Sequence, residues 1–295
     1  MTALGSRIPT TEDAAADPGV GAYASAAEEA GAGALWVADH VVLARDVRSR
    51  YPYADDGRLR VDPATPWYEA LVACAWAAAH TTTATVGTAV LVLPQRHPVE
   101  VAKQAATIDA LSGGRLLLGV GAGWMREEFE ALGWPYEDRG RRLDEAIAVL
   151  RSCWTGEPGP FEGETLRVPA GLTCYPTPAR PGGVPIYVGG MTGRAIRRAA
   201  ALGDGWLALA NLDEADPATL GAALERVHAA RPAGRPPLRT VLRLVGTIAE
   251  DDLARRLPLL RDLAAAGFDE IAVDPPWPDL DAGRRVLDAV AAVLA

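Results

Sequence analysis

RLLLGVGAGW, Arg115–Trp124, opens on an apolar run, Leu116–Val120, and carries glycine at alternate positions, Gly119, Gly121 and Gly123. Glycine inside a strand costs stability unless another group must approach the backbone closely. The stretch therefore reads as a buried strand whose C-terminal end faces a flat ligand. A strand running into a glycine-rich turn is the plainer alternative. The neighbours decide between them. Upstream, Pro98–Leu111 reads as a helix and Ala84–Pro94 as a strand with a weak point at Gly87. Downstream, helices are expected at Met125–Leu132 and Arg139–Trp154.

The same alternation extends to both ends. Ala3–Ile8 is a short strand, and Asp17 and Pro18 read as the N-cap and first-turn proline of a helix over Gly19–Ala30. Ala34–Asp39 is a buried strand and Trp67–His80 a helix. After an irregular insert at 155–183, strands are expected at Pro185–Gly190, Gly205–Ala210, Arg239–Thr247 and Asp269–Pro276. Helices follow at Arg194–Leu202, Pro217–Ala230, Asp251–Ala266 and Asp279–Leu294. Eight strands alternating with helices in 295 residues predict a single (β/α)8 TIM barrel over 1–295, with a parallel sheet. The segment 40–65 lacks periodicity and is too long for an ordinary connection, so it reads as a functional loop, a lid over the site, or as a mobile one.

Composition narrows the function classes. Lys+Arg 29 against Asp+Glu 38 gives a net charge of −9, which argues against nucleic acid as the main partner. Lys103 is the single lysine, a bias that speaks of a GC-rich genome rather than of fold. Three widely spaced cysteines, Cys74, Cys153 and Cys174, show no metal spacing and fit reduced thiols in a cytoplasm. No window approaches the run of about 18 apolar residues of a membrane span.

In a (β/α)8 barrel the chemistry sits where strands end. The second strand ends at Asp39-His40, and the third carries Thr88-Ala89. The fourth ends at Gly121-Ala122-Gly123-Trp124, and the fifth at Gly189-Gly190-Met191-Thr192. Small residues at three neighbouring strand ends leave room for something broad and planar. The free N–H groups of the turn after Gly190, with Thr192, suit a phosphate. His40 is the acid–base candidate, with Asp39 orienting the site through backbone hydrogen bonds. His97, between Arg96 and Pro98, stands at a helix start, where capping is the plainer role. No metal set, nucleophile motif or carboxylate pair is singled out by spacing, so a bound cofactor is expected to supply the chemistry.

Four segments together resemble the luciferase-like monooxygenase superfamily, and within it the subgroup that uses the deazaflavin coenzyme F420. They are LWVADHVVL (35–43), the run 86–133 containing LSGGRLLLGVGAGWMREEFEALG, RGRRLDEAIAVLRSCWTG (139–156) and PIYVGGMTGRAIRRAAALGDGWL (185–207). The resemblance implies an often dimeric barrel that holds a flavin or deazaflavin across its strand ends. It implies a bulge on the third strand around Thr88-Ala89, carrying a non-proline cis peptide behind the ring. Gly189, Gly190, Met191 and Thr192 match the phosphate turn, and His40 matches a histidine implicated in proton transfer. Trp124 stands where sugar-phosphate dehydrogenases of the family carry a proton-donating glutamate, so a flatter or more apolar substrate is expected, with Trp67, Tyr68 and Trp124 lining its pocket. F420 is the expected cofactor. The alternative is reduced FMN, delivered by a separate reductase, with dioxygen; a third possibility is a non-catalytic cofactor-binding relative.

Overall fold

The computed structural model describes residues 1–11, 18–54 and 56–295. The strands of the main sheet are β1 (Ala3–Arg7), β2 (Ala34–Val37), β3 (Thr85–Thr88), β4 (Leu91–Val92), β5 (Leu116–Gly121), β8 (Ile186–Gly189), β9 (Gly205–Asn211), β10 (Arg239–Thr247) and β11 (Glu270–Asp274); a separate short hairpin in the insert supplies β6 (Phe161–Glu162) and β7 (Arg167–Val168). The helices are α1 (Val20–Glu29), α2 (Ala70–Ala79), α3 (Pro98–Leu111), α4 (Arg126–Ala131), α5 (Arg139–Cys153), α6 (Gly193–Leu202), α7 (Pro217–Ala229), α8 (Leu253–Ala265) and α9 (Leu280–Leu294). Asp17 lies outside the described residues; Gly19 occupies the N-cap position of α1.

The main sheet runs β3-β2-β1-β11-β10-β9-β8-β5-β4, every pair in it is parallel, and the β3–β5 pairing closes it into a barrel. β3 and β4 share one position in that ring. Gly87 pairs with Leu117 and Leu91 with Val120, so four steps on one strand face three on the other. The extra residue is a β-bulge, and the cis peptide Ala89–Val90 lies inside it. The break in this strand is therefore at Ala89–Val90 and not at Gly87, which pairs normally with Trp36 and Leu117. Gly87 serves another purpose: a Cβ there would stand 2.7 Å from the Trp36 ring.

Apolar side chains between the sheet and its helices form the main core. A second, smaller cluster plugs the barrel interior, built on Trp36, Leu117, Tyr187, Leu207 and Val241. Trp36 Nε1 donates to Glu270 Oε1 at 2.6 Å, so the indole is both packed and satisfied. This plug closes the lower barrel and leaves the strand C-termini as the open end. Among the described residues no helix is long and apolar enough to cross a membrane.

Candidate active site

The chain leaves the barrel after Val37 through Ala38, Asp39 and His40. The Asp39 carboxylate is fully covered and accepts from the Val92 amide at 2.8 Å and from both terminal nitrogens of Arg96, at 2.8 and 2.7 Å. Burial pushes its carboxyl up, and the Arg96 guanidinium pulls the other way. The side chain of Asp39 thus pins the far end of the bulge to the end of β2. His40 follows, and its Nδ1 lies 3.1 Å from Glu128 Oε2 on α4. The Glu128 side chain is 1% exposed and also accepts from the amides of Val41 (2.7 Å) and Val42 (3.3 Å). Burial alone would raise the Glu128 carboxyl; the hydrogen bond and charge of His40, with the amides, hold it below its usual range. A carboxylate at Nδ1 assigns the ring hydrogen to that nitrogen and leaves Nε2 to give or take a proton. Trp67 and Trp124 stand edge-on to the imidazole, at centroid distances of 4.7 and 6.1 Å.

His40 lines a cavity of about 2140 Å³ at the strand C-termini. One wall is bare backbone and small side chains, from Ala89 and Val90 across Gly121 to Gly189 and Gly190. The glycines of this wall also make room for the bulge. A Cβ on Gly121 or Gly189 would stand 2.6 or 2.5 Å from a Val90 methyl, and one on Gly119 would meet the Thr88 carbonyl oxygen. The other walls are the 40–65 loop, with Tyr51 and Tyr53, and the polar ends of β1, β10 and β11, with Arg7, Arg243 and Asp274.

At the end of β8 the chain turns through Gly190, whose φ of 120° suits glycine, into α6. The Thr192 hydroxyl caps α6 by accepting from the Ala195 amide at 3.2 Å. The amides of Gly193 and Arg194, the first two of the helix, face no intrahelical acceptor. They lie beside the cavity wall formed by Met191, Thr192 and Arg194. A phosphate fits there by charge and by donor supply. A wide cradle without side chains, bounded by a helix N-terminus, fits the ring and tail of a flavin-type cofactor.

The structure brings together most of the residues expected from the sequence. Asp39, His40, Trp67, Ala89, Gly121, Ala122, Gly123, Trp124, Gly189, Gly190, Met191 and Thr192 all line the one cavity. Thr88 sits behind its wall, fully buried, with its hydroxyl donating to the Gly119 carbonyl at 2.7 Å. Tyr68 is 41% exposed and outside the lining. His97 occupies the N-cap of α3, but its side chain makes no cap bond. Glu128, Arg243, Tyr51 and Tyr53 were not expected in the site. A glutamate one turn into the helix after the glycine ladder is a signal for Glu128 only once α4 is known to cross the barrel mouth. Among the described residues no cluster of three or more His, Cys, Asp or Glu is arranged for a metal.

A family model described as luciferase-like monooxygenase matches residues 4–281. An uncharacterized protein of Mycobacterium tuberculosis is 39% identical over 184 residues, 62% of each chain. An F420-dependent glucose-6-phosphate dehydrogenase of Nakamurella multipartita is 35% identical over 187 residues, 62% of this chain and 50% of that one. The match thus spans about half to three-fifths of the length of these curated relatives. Among solved structures, an F420-dependent secondary alcohol dehydrogenase in complex with an F420-acetone adduct superimposes with a TM-score of 0.77 at 19% identity, covering 100% of this chain and 99% of that one. The oxygenating constituent of 3,6-diketocamphane monooxygenase from Pseudomonas putida, in complex with FMN, gives 0.72 at 14% identity, covering 98% and 96%. At these identities the structural likeness establishes the fold.

Proposed function

Because the chain belongs to the luciferase-like monooxygenase family, we propose that it is an oxidoreductase that transfers a hydride between coenzyme F420 and a small organic substrate. The observation that carries this reading is the His40–Glu128 pair opening onto a wide cavity with one bare wall. Ala89, Val90, Gly121 and Gly189 would back the ring, and the first amides of α6 with Thr192 and Arg194 would hold the phosphate. When bound, the deazaflavin supplies the carbon that gives or accepts hydride. The protein's part is the proton. Glu128 fixes the imidazole of His40, and Nε2 exchanges the proton that accompanies oxidation or reduction of the substrate. Trp67 and Trp124 exclude water from that side of the ring.

The similarity to an F420-dependent dehydrogenase among the curated relatives supports F420 over FMN. The likeness to an FMN-bound oxygenase supports the second reading, a monooxygenase fed with reduced FMN by a separate reductase. Titrating the protein with each cofactor, followed by absorbance and fluorescence, decides between them. The proposal expects saturable binding of F420 and hydride-transfer turnover that needs no dioxygen. Tight FMN retention with oxygen-dependent turnover would replace it with the monooxygenase. His40→Ala should leave F420 affinity nearly unchanged and slow turnover by about 10²–10⁴; unchanged turnover would remove His40 from proton transfer.

A further inference from the structure

Arg243 lies two residues beyond Val241 on β10, so its side chain points into the barrel one layer above the interior plug. It is 7% exposed and lines the cavity, yet among the described residues no acceptor of the protein hydrogen-bonds or ion-pairs with its guanidinium. Its neighbours do not neutralise it. Arg7 and Asp274 pair with each other at 3.2 Å, and Arg7 also donates to Thr11, so those two charges cancel and one positive charge remains. Tyr51 and Tyr53, from the 40–65 loop, line the same cavity, their phenols act electrostatically on Arg243, and among the described residues neither hydroxyl has a hydrogen-bond partner. Burial first, then Arg7, press the Arg243 guanidinium below its ordinary range, with Asp274 and the two tyrosines opposing. A largely buried cation that faces a cavity and finds no protein acceptor among the described residues is held at a cost, and it points to an anionic ligand that completes it.

We propose that Arg243, with the hydroxyls of Tyr51 and Tyr53, recognises a carboxylate on the substrate, whose flat apolar body then lies beneath Tyr51 and Trp124, next to His40. All three groups are donors, and the guanidinium fork matches the two oxygens of a carboxylate. The charge count favours the same class: one uncompensated positive charge balances a monoanion, whereas a phosphate dianion would leave a buried negative charge over. Tyr51 stands edge-on to Trp124 at 5.1 Å, and Trp124 also stands edge-on to His40 at 6.1 Å, so Trp124 joins the loop tyrosine of the anion site to the proton-transfer group. That the bound carboxylate is the substrate's rests on the hydride-transfer reading; the anion site itself does not.

The test uses the full chain without added cofactor. Sodium benzoate, and in parallel inorganic phosphate and sodium chloride, are titrated while tryptophan fluorescence and Tm are recorded. Benzoate should saturate and raise Tm, and the part of phosphate or chloride binding that depends on Arg243 should be weaker, phosphate at the start of α6 being independent of Arg243. Arg243→Gln should weaken benzoate by about tenfold or more, Tyr51→Phe by roughly two- to fivefold, and Arg243→Gln should hold F420 within about twofold of the unaltered chain. Should Arg243→Gln not fold, slower phenylglyoxal modification of Arg243 in the unaltered chain under saturating benzoate, read by peptide mass spectrometry, gives the same answer. Benzoate that does not saturate, that binds Arg243→Gln equally well, or that leaves Arg243 modification unprotected would overturn the proposal. Phosphate that binds more tightly than benzoate and is weakened by Arg243→Gln would overturn the carboxylate assignment, and lost F420 affinity in Arg243→Gln would assign the arginine to the cofactor instead. Arg243-dependent benzoate binding in a chain that ignores F420 would keep the anion site and discard the F420 reading.

Discussion

At the scale of single residues, the site depends on Glu128 more than its place in the sequence suggests. Its carboxylate receives His40 and two loop amides at once. It therefore sets the ring orientation and the start of the 40–65 loop together. Glu128→Gln keeps the size and one acceptor oxygen but removes the charge facing the imidazole. The amides of Val41 and Val42 retain an acceptor, so the fold should tolerate the change. On the proposed reading, turnover should fall by about 10–100-fold with little effect on F420 affinity, because the imidazole of His40 loses its fixed partner. Steady-state kinetics with a cofactor titration on the same sample checks this. A variant with normal turnover would show that the pair holds the loop and plays no part in proton transfer. His40 itself was legible from its position just past a buried strand. Its partner was not, because the contact spans 88 residues of chain and no local spacing records it.

At the scale of elements, the glycines of β5 are read correctly as sites of close approach, but much of what approaches is the protein itself. A Cβ on Gly119 would be pressed into the Thr88 carbonyl, a backbone atom of the neighbouring strand with nowhere to move. On Gly121 it would meet a methyl of Val90, at the cavity edge, which can rotate away. The two substitutions should therefore differ. Gly119→Ala should cost more than about 3 kcal/mol or prevent folding, and Gly121→Ala about 1–3 kcal/mol, as overpacking of a yielding neighbour does. Urea unfolding of both variants checks the ranking, and equal costs would mean that the β3 bulge yields as a whole. The periodicity of the chain predicts every barrel strand within a few residues, because apolar runs and turn residues are local signals. The bulge around Thr88-Ala89 followed from the family resemblance and not from the periodicity, because it is a matter of register between two strands, and a single strand carries no mark of its partner's count.

At the scale of the whole molecule, the two ends of the barrel use their charges differently. At the strand N-termini, arginines cap carbonyls: Arg115 donates to the carbonyls of Ala78, Thr81, Ala84 and Ser112, and Arg231 to those of Ala200, Gly203 and Pro236. At the mouth, Arg7 and Arg96 pair with Asp274 and Asp39, while among the described residues Arg243 has no hydrogen-bond or ion-pair partner, so it is the arginine of this end that a ligand could complete. Composition alone records the many arginines and cannot say which end each one faces. Glu28 belongs to the closed end. From α1 it accepts from the amides of Thr82, Thr83 and Ala84, joining the first helix to the loop before β3. Burial would raise its carboxyl, but these bonds bring it down to about 2 from 4.5. A carboxylate whose folded pKa lies below its unfolded value favours the fold fully above the unfolded value, and the gain is lost as pH falls through the folded one. Stability from this link should therefore be constant above about pH 5 and decline between about 4.5 and 2. Discounted for its partial exposure to solvent, the link contributes about 1–2 kcal/mol. Glu28→Gln should lower Tm at pH 7 and narrow its gap to the unaltered chain as the pH approaches 3. Thermal unfolding of both chains from pH 7 to pH 3 checks the sign, and a gap that widens in acid would show that Glu28 is not the group that holds this corner of the barrel.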